Sequence, residues 1–78
     1  MNIEILNAAT DAFADTYAAG EPFKVRAYYR IADDPQLRVQ RVWVTPGYST
    51  IADIPKAIAG PRNFTADDVR IAAIRPTA

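Results

Sequence analysis

The chain of 78 residues carries no net charge at pH 7, and half of its residues are apolar. A chain this short forms one domain, residues 1–78, and buries roughly 60% of the surface that its unfolded form exposes, so we expect a thin core. It contains neither cysteine nor histidine, which excludes disulfides, thiolate metal sites and the commonest acid–base group. No apolar run approaches membrane-spanning length, and we expect a soluble, cytoplasmic protein.

The charges are unevenly distributed along the chain. Residues 1–22 hold four acids and no base, a charge of −4, whereas residues 23–46 hold five bases and two acids, a charge of +3. Either the acidic segment lies against the basic one and neutralises it, or the basic segment forms a binding face. We favour neutralisation, because charge asymmetry by itself is a weak indication of a partner.

The first residues carry an ambiguous pattern. Ile3 and Ile5 alternate with Glu4, which predicts a short strand over residues 2–6, although the same residues could begin the helix that follows. We favour the strand, because Asn7 and Thr10 offer turn or cap chemistry after it.

A helix is predicted over residues 10–19. Phe13 and Tyr17 are spaced four residues apart, which gives the segment one apolar stripe. Thr10 is the predicted N-cap, and Gly20 is the predicted C-terminal stop. An aromatic stripe at helical spacing predicts core residues.

The longest pattern in the chain predicts a β-hairpin. The first arm is predicted over residues 23–32, of which the nine residues 23–31 alternate between apolar and polar side chains, and the Asp-Asp-Pro-Gln segment at 33–36 is typical of a turn. In the second arm, residues 37–45, the alternation breaks. We expect a bulge near Gln40-Arg41 that turns the four aliphatic side chains of this arm inward and leaves Trp43 outside.

The last third of the chain predicts a second helix and a final strand. The helix covers residues 50–59, with Ser49 as its predicted cap. Pro55 removes a backbone donor within it, so we expect a kink, or a single turn at 50–53 that leads into a short helix. Residues 65–68 suit one capped turn, and residues 69–75 alternate like a strand.

The predicted element order is β-α-β-β-α-β, which indicates an α+β fold. This order is that of the ferredoxin-like split βαβ motif, a small antiparallel sheet with two short helices on one face. Without a strand at 2–6, the order becomes an α-β-β-α-β meander, and a β-grasp-like arrangement is a further alternative. The predicted core consists of Phe13, Tyr17, Val25, Tyr29, Ile31, Val39, Val42, Ile51, Ile54, Ile58 and Ile71.

Catalytic and cofactor motifs are missing from the sequence. Ser49 has no histidine to activate it, and the adjacent carboxylates at 33–34 and 67–68 lie at predicted turn or cap positions. The three glycines form no phosphate-binding loop. We therefore expect a protein that is not an enzyme, with no cofactor, no metal and no small-molecule ligand.

The side chains predicted on the helix-free sheet face indicate an interaction module. Arginine, tyrosine and tryptophan dominate binding hot spots, and we expect this face to bind a protein partner or a second copy of the chain. A small accessory protein of a phage or mobile element fits this role. The alternative is a nucleic-acid-binding protein that uses the same face, which zero net charge disfavours. The candidate partner-binding residues are Lys24, Arg26, Tyr28, Arg30, Arg38, Arg41 and Trp43.

Overall fold

The structure, a computed structural model, describes residues 2–77, which form an antiparallel three-stranded sheet and short helices. Within these residues, no helix has both the length and the apolar character needed to cross a membrane. The elements in chain order are α1 (Asn2–Ala12), α2 (Ala14–Ala18), β1 (Phe23–Ile31), β2 (Arg38–Val44), a 3₁₀ turn (Ile51–Asp53), α3 (Ile54–Ala59), a second 3₁₀ turn (Ala66–Asp68) and β3 (Val69–Pro76).

The predicted strand at residues 2–6 is wrong, because these residues form the start of α1. The helical stripe of the chain begins earlier than predicted: Leu6 and Ala9 are buried at helical spacing, and Ile3 is 60% exposed. With α1 and α2 counted as one helical segment, the described residues have the order α-β-β-α-β, and the four-stranded ferredoxin-like order is not confirmed. Strand order β2-β1-β3 also differs from a meander, because β3 pairs with β1.

The two predicted cap residues of the helices are also wrong. Thr10 lies inside α1, where its hydroxyl donates to the carbonyl of Leu6 at 2.8 Å, a bond that tends to bend helices. The 3₁₀ turn before α3 is capped by Thr50 and not by Ser49, since Thr50 and Asp53 form a capping box. The single turn that leads into a short helix, expected from Pro55, is confirmed.

The second arm of the hairpin is regular, so the bulge predicted near Gln40-Arg41 is wrong. Its pairing with β1 runs without a shift from Phe23 opposite Val44 to Tyr29 opposite Arg38. Val42 and Val44 face the helices, and Val39, a predicted core residue, is 56% exposed on the other side. In a regular strand, Val39 and Arg41 point to the same side, so burying Val39 would also bury the guanidinium of Arg41. Burying an unpaired guanidinium costs more free energy than exposing an aliphatic side chain.

A bulge does occur, but in β3. Tyr28 pairs with Ala73 and Tyr29 pairs with Ile71, so Ala72 is the extra residue. After it, Ile74 lies opposite the buried Ala27 and packs against the core. The bulge reverses the side to which the last residues of β3 point.

Helices α1 and α3 contribute to one core on one face of the sheet. Leu6 and Ala9 come from α1, while Ile54 and Ile58 of α3 are almost fully buried. Phe13 and Tyr17 are half-buried against this cluster, as the stripe predicted. The opposite face of the sheet is left without helices.

Candidate binding face

The open face, as we name it, is the side of the sheet that the helices leave uncovered. The pairing registers and the burial pattern place ten side chains of the three strands on it. They are Lys24, Arg26, Tyr28 and Arg30 of β1, Val39, Arg41 and Trp43 of β2, and Arg70, Ala73 and Arg75 of β3.

Six of the seven predicted partner-binding residues share this face. The exception is Arg38, which lies opposite the buried Tyr29 and therefore belongs to the other side of the sheet. Its guanidinium forms a 3.1 Å salt bridge with Asp34, the only salt bridge within residues 2–77. The hydrogen bond from the backbone amide of Gln36 lowers the pKa of the Asp34 carboxyl from its ordinary value, and the hydrogen bond from Arg38 lowers it further. Arg38, the first residue of β2, is thus bound to the hairpin turn through Asp34.

Two arginines of the open face were not among the predicted site residues. Arg70 could have been included, because it alternates with the buried Val69 and Ile71. Arg75 could not have been included, because strict alternation would place it with Val69 on the side of the sheet that faces the core. It reaches the open face only because of the extra residue at Ala72.

The cations of this face lie directly opposite one another across the strands. Arg26 pairs with Arg41 on one side and with Arg75 on the other. Arg30 pairs in the same way with Arg70. Like charges in directly opposed positions destabilise a sheet, so the face contains three repulsive cross-strand pairs.

Acidic side chains are absent from all three strands, which carry seven of the nine basic residues of the chain. The acidic residues lie on helices and turns. No salt bridge joins residues 2–21 to the sheet anywhere in the described chain. The acidic N-terminal segment was predicted to neutralise the basic hairpin, but in the described residues it forms no ion pair with it.

Aromatic and aliphatic surface accompanies the charge. Trp43 is 59% exposed, and the Nζ of Lys24, its cross-strand partner, lies 4.8 Å from the centroid of its ring. Tyr28 is half-buried opposite the exposed Val39. The open face thus combines positive charge with exposed planar and apolar groups.

Two adjacent depressions mark this face. The first, which we name the central depression, is lined by Lys24, Arg26, Arg41 and Thr77, and the second includes Arg26, Arg41, Tyr28 and Val39. A guanidinium donates paired hydrogen bonds that match the oxygens of carboxylate and phosphate groups. The face therefore presents hydrogen-bond donors of the kind that suit anionic oxygens.

Comparisons of the chain with protein-family models, with curated proteins and with solved structures gave no match.

Proposed function

We propose that this protein is a non-enzymatic binding module whose open face recognises an anionic partner. The observation that carries the proposal is the set of three cross-strand arginine pairs on strands without a single carboxylate. An anion placed between such cations would relieve their repulsion and gain charge-assisted hydrogen bonds. Guanidinium groups stay charged at any physiological pH, which suits binding better than proton transfer.

The charge of the face also bears on self-association. A back-to-back dimer would bring the six cations of one open face against the same six of a second copy. The expected dimer through the sheet face is therefore disfavoured, and we propose a different molecule as the partner. Acidic protein surfaces and nucleic-acid backbones both present suitable anions. An accessory protein of a phage or mobile element could use either.

A charge reversal on the open face tests this proposal. Arg41→Glu places a carboxylate on the edge strand β2, in the lining of the central depression, and Lys56→Glu changes the net charge by the same amount at an exposed position of α3. We expect the wild type and Lys56→Glu to be retained on a heparin column and to elute at similar salt concentrations. Arg41→Glu should elute at clearly lower salt, because the anion would meet a carboxylate in the central depression.

Circular dichroism of the three proteins controls for folding. Equal elution of Arg41→Glu and Lys56→Glu would show that the position of the charge does not matter, and the proposal would fail. Lack of retention of the wild type would also contradict it.

A further inference from the structure

We propose that the anionic partner is a single-stranded nucleic acid, held by arginine–phosphate contacts and by a base stacked on Trp43. The inference rests on the proposed function of the open face and adds the class of partner. Three observations carry it: the spread of the cations, the central depression, and the exposed tryptophan beside a lysine.

The cations are spread over the sheet in the way that a chain of phosphates requires. Arg41, Arg26 and Arg75 lie side by side on three adjacent strands, whose backbones span about 10 Å at the usual strand spacing. Arg30 and Arg70 form a second row four residues along β1, about 13 Å away at the usual rise. A single small anion cannot reach both rows, whereas a polymer with regularly repeated charges can.

The central depression offers a place for one phosphate group. Lys24, Arg26 and Arg41 bring three positive charges to it, and Thr77 completes its lining. Thr77 directly follows β3, and its hydroxyl donates to the carbonyl of Lys24 at 3.0 Å. This hydrogen bond holds Thr77 beside β1 at the depression. A phosphate can accept paired hydrogen bonds from the guanidinium of Arg41 here, while Arg26, whose Nη2 donates to the carbonyl of Pro76 at 3.4 Å, adds positive charge.

Trp43 favours a nucleic acid over an acidic protein as the partner. It lies two residues from Arg41 on the same strand, about 7 Å along β2, so both point to the open face. Carboxylates of an acidic protein would engage only the cations, whereas a nucleotide supplies both a phosphate and a planar base. Every base can stack on an indole ring, and stacking beside a basic groove is typical of proteins that bind single strands.

The single-stranded form follows from the exposure of this aromatic ring. A duplex keeps the faces of its bases stacked inside, and only unpaired bases can be placed on an aromatic side chain. The proposed partner is therefore unpaired DNA or RNA, bound with little preference for sequence.

The only tryptophan of the chain lies at this site, so its fluorescence reports binding directly. The probe is an oligothymidylate of about 15 nucleotides, a length typical of single-strand binding sites. It is titrated into the wild type, with duplex DNA of equal length and polyglutamate as comparison ligands. Affinities of Trp43→Leu, Trp43→Phe and Tyr48→Leu are measured by the anisotropy of a labelled oligothymidylate. Tyr48 is the matched control, because it is 91% exposed and lies outside the sheet.

We expect oligothymidylate to quench the Trp43 emission and to bind more tightly than duplex DNA or polyglutamate. Trp43→Leu should weaken binding by about 5- to 150-fold, while Trp43→Phe and Tyr48→Leu retain most of the affinity. The slope of log affinity against log salt should be about −2 to −4, as for three to six phosphate contacts.

Three results would overturn the inference: no binding of oligothymidylate, equal binding of duplex and single strand without quenching, or unchanged affinity in Trp43→Leu. In each case, heparin retention that depends on Arg41 would leave the proposed anion-binding function intact and favour an acidic protein as partner. Failure of that retention would remove the proposed function itself.

Discussion

At the scale of single residues, Asn2 joins the start of α1 to the edge of the sheet. Its side-chain Nδ2 donates to the carbonyl of Val69, and its Oδ1 accepts the amide of Ile71 at 2.7 Å. Because β3 is an edge strand, the Asn2 amide takes the place of a neighbouring strand. It satisfies two backbone groups on an edge that could otherwise pair with another chain.

We predict that Asn2→Ala lowers the free energy of unfolding by about 1–3 kcal/mol, because it leaves both backbone groups of β3 without this partner. The measurement is chemical denaturation followed by circular dichroism. Asn63→Ala, at an exposed position, is the control and should change stability by about 0.5 kcal/mol or less. Equal stabilities of the two variants would mean that the Asn2 contacts contribute nothing.

At the scale of elements, the hairpin could be predicted from the sequence because its alternation is long. Period 2 over nine residues places β1 correctly. The second capped turn follows from Thr65 and Asp68, and the short α3 follows from Pro55. The apolar positions of residues 2–6 fit the pattern of a strand and the pattern of a helix equally well. Contacts of Asn2 and Leu6 with distant parts of the chain decide in favour of the helix.

The open face could be predicted only in part, for a related reason. Local alternation assigns Lys24, Arg26 and Arg30 to it, since their neighbours are apolar. The side of the sheet to which Arg38 points depends on which set of alternate residues in β2 is buried. The side to which Arg75 points depends on the bulge in β3, where its pairing with β1 shifts. Neither can be read from one strand alone, because both arise from the register between strands.

The packing of α3 can be tested through Ile54, which is 1% exposed in the centre of the core. We predict that Ile54→Ala lowers the free energy of unfolding by about 2–5 kcal/mol, through lost burial and the cavity left behind. Such a loss is a large share of the stability of a small domain. Ile3→Ala, at a position 60% exposed, removes the same atoms and should have little effect. Thermal melting of both variants checks this, and similar midpoints would contradict the packing of α3.

At the scale of the whole molecule, zero net charge hides a separation of charge. Six cations lie on the open face, and the four acids of residues 1–22 lie on or next to α1 and α2, which belong to the helical side. Such a surface can attract an anionic partner to one side while the molecule as a whole stays neutral. Salt should weaken this attraction, because screening acts strongly on exposed charges.

We expect anions to bind to the open face and not to the helical side. Nuclear magnetic resonance of the ¹⁵N-labelled protein during titration with inorganic polyphosphate tests it most directly. We predict shift changes concentrated at the side-chain Nε–H signals of Arg26, Arg41 and Arg75 and at the indole N–H of Trp43, while amides of α1 and α3 stay unchanged. Changes centred on the helices, or spread evenly over the protein, would contradict the account.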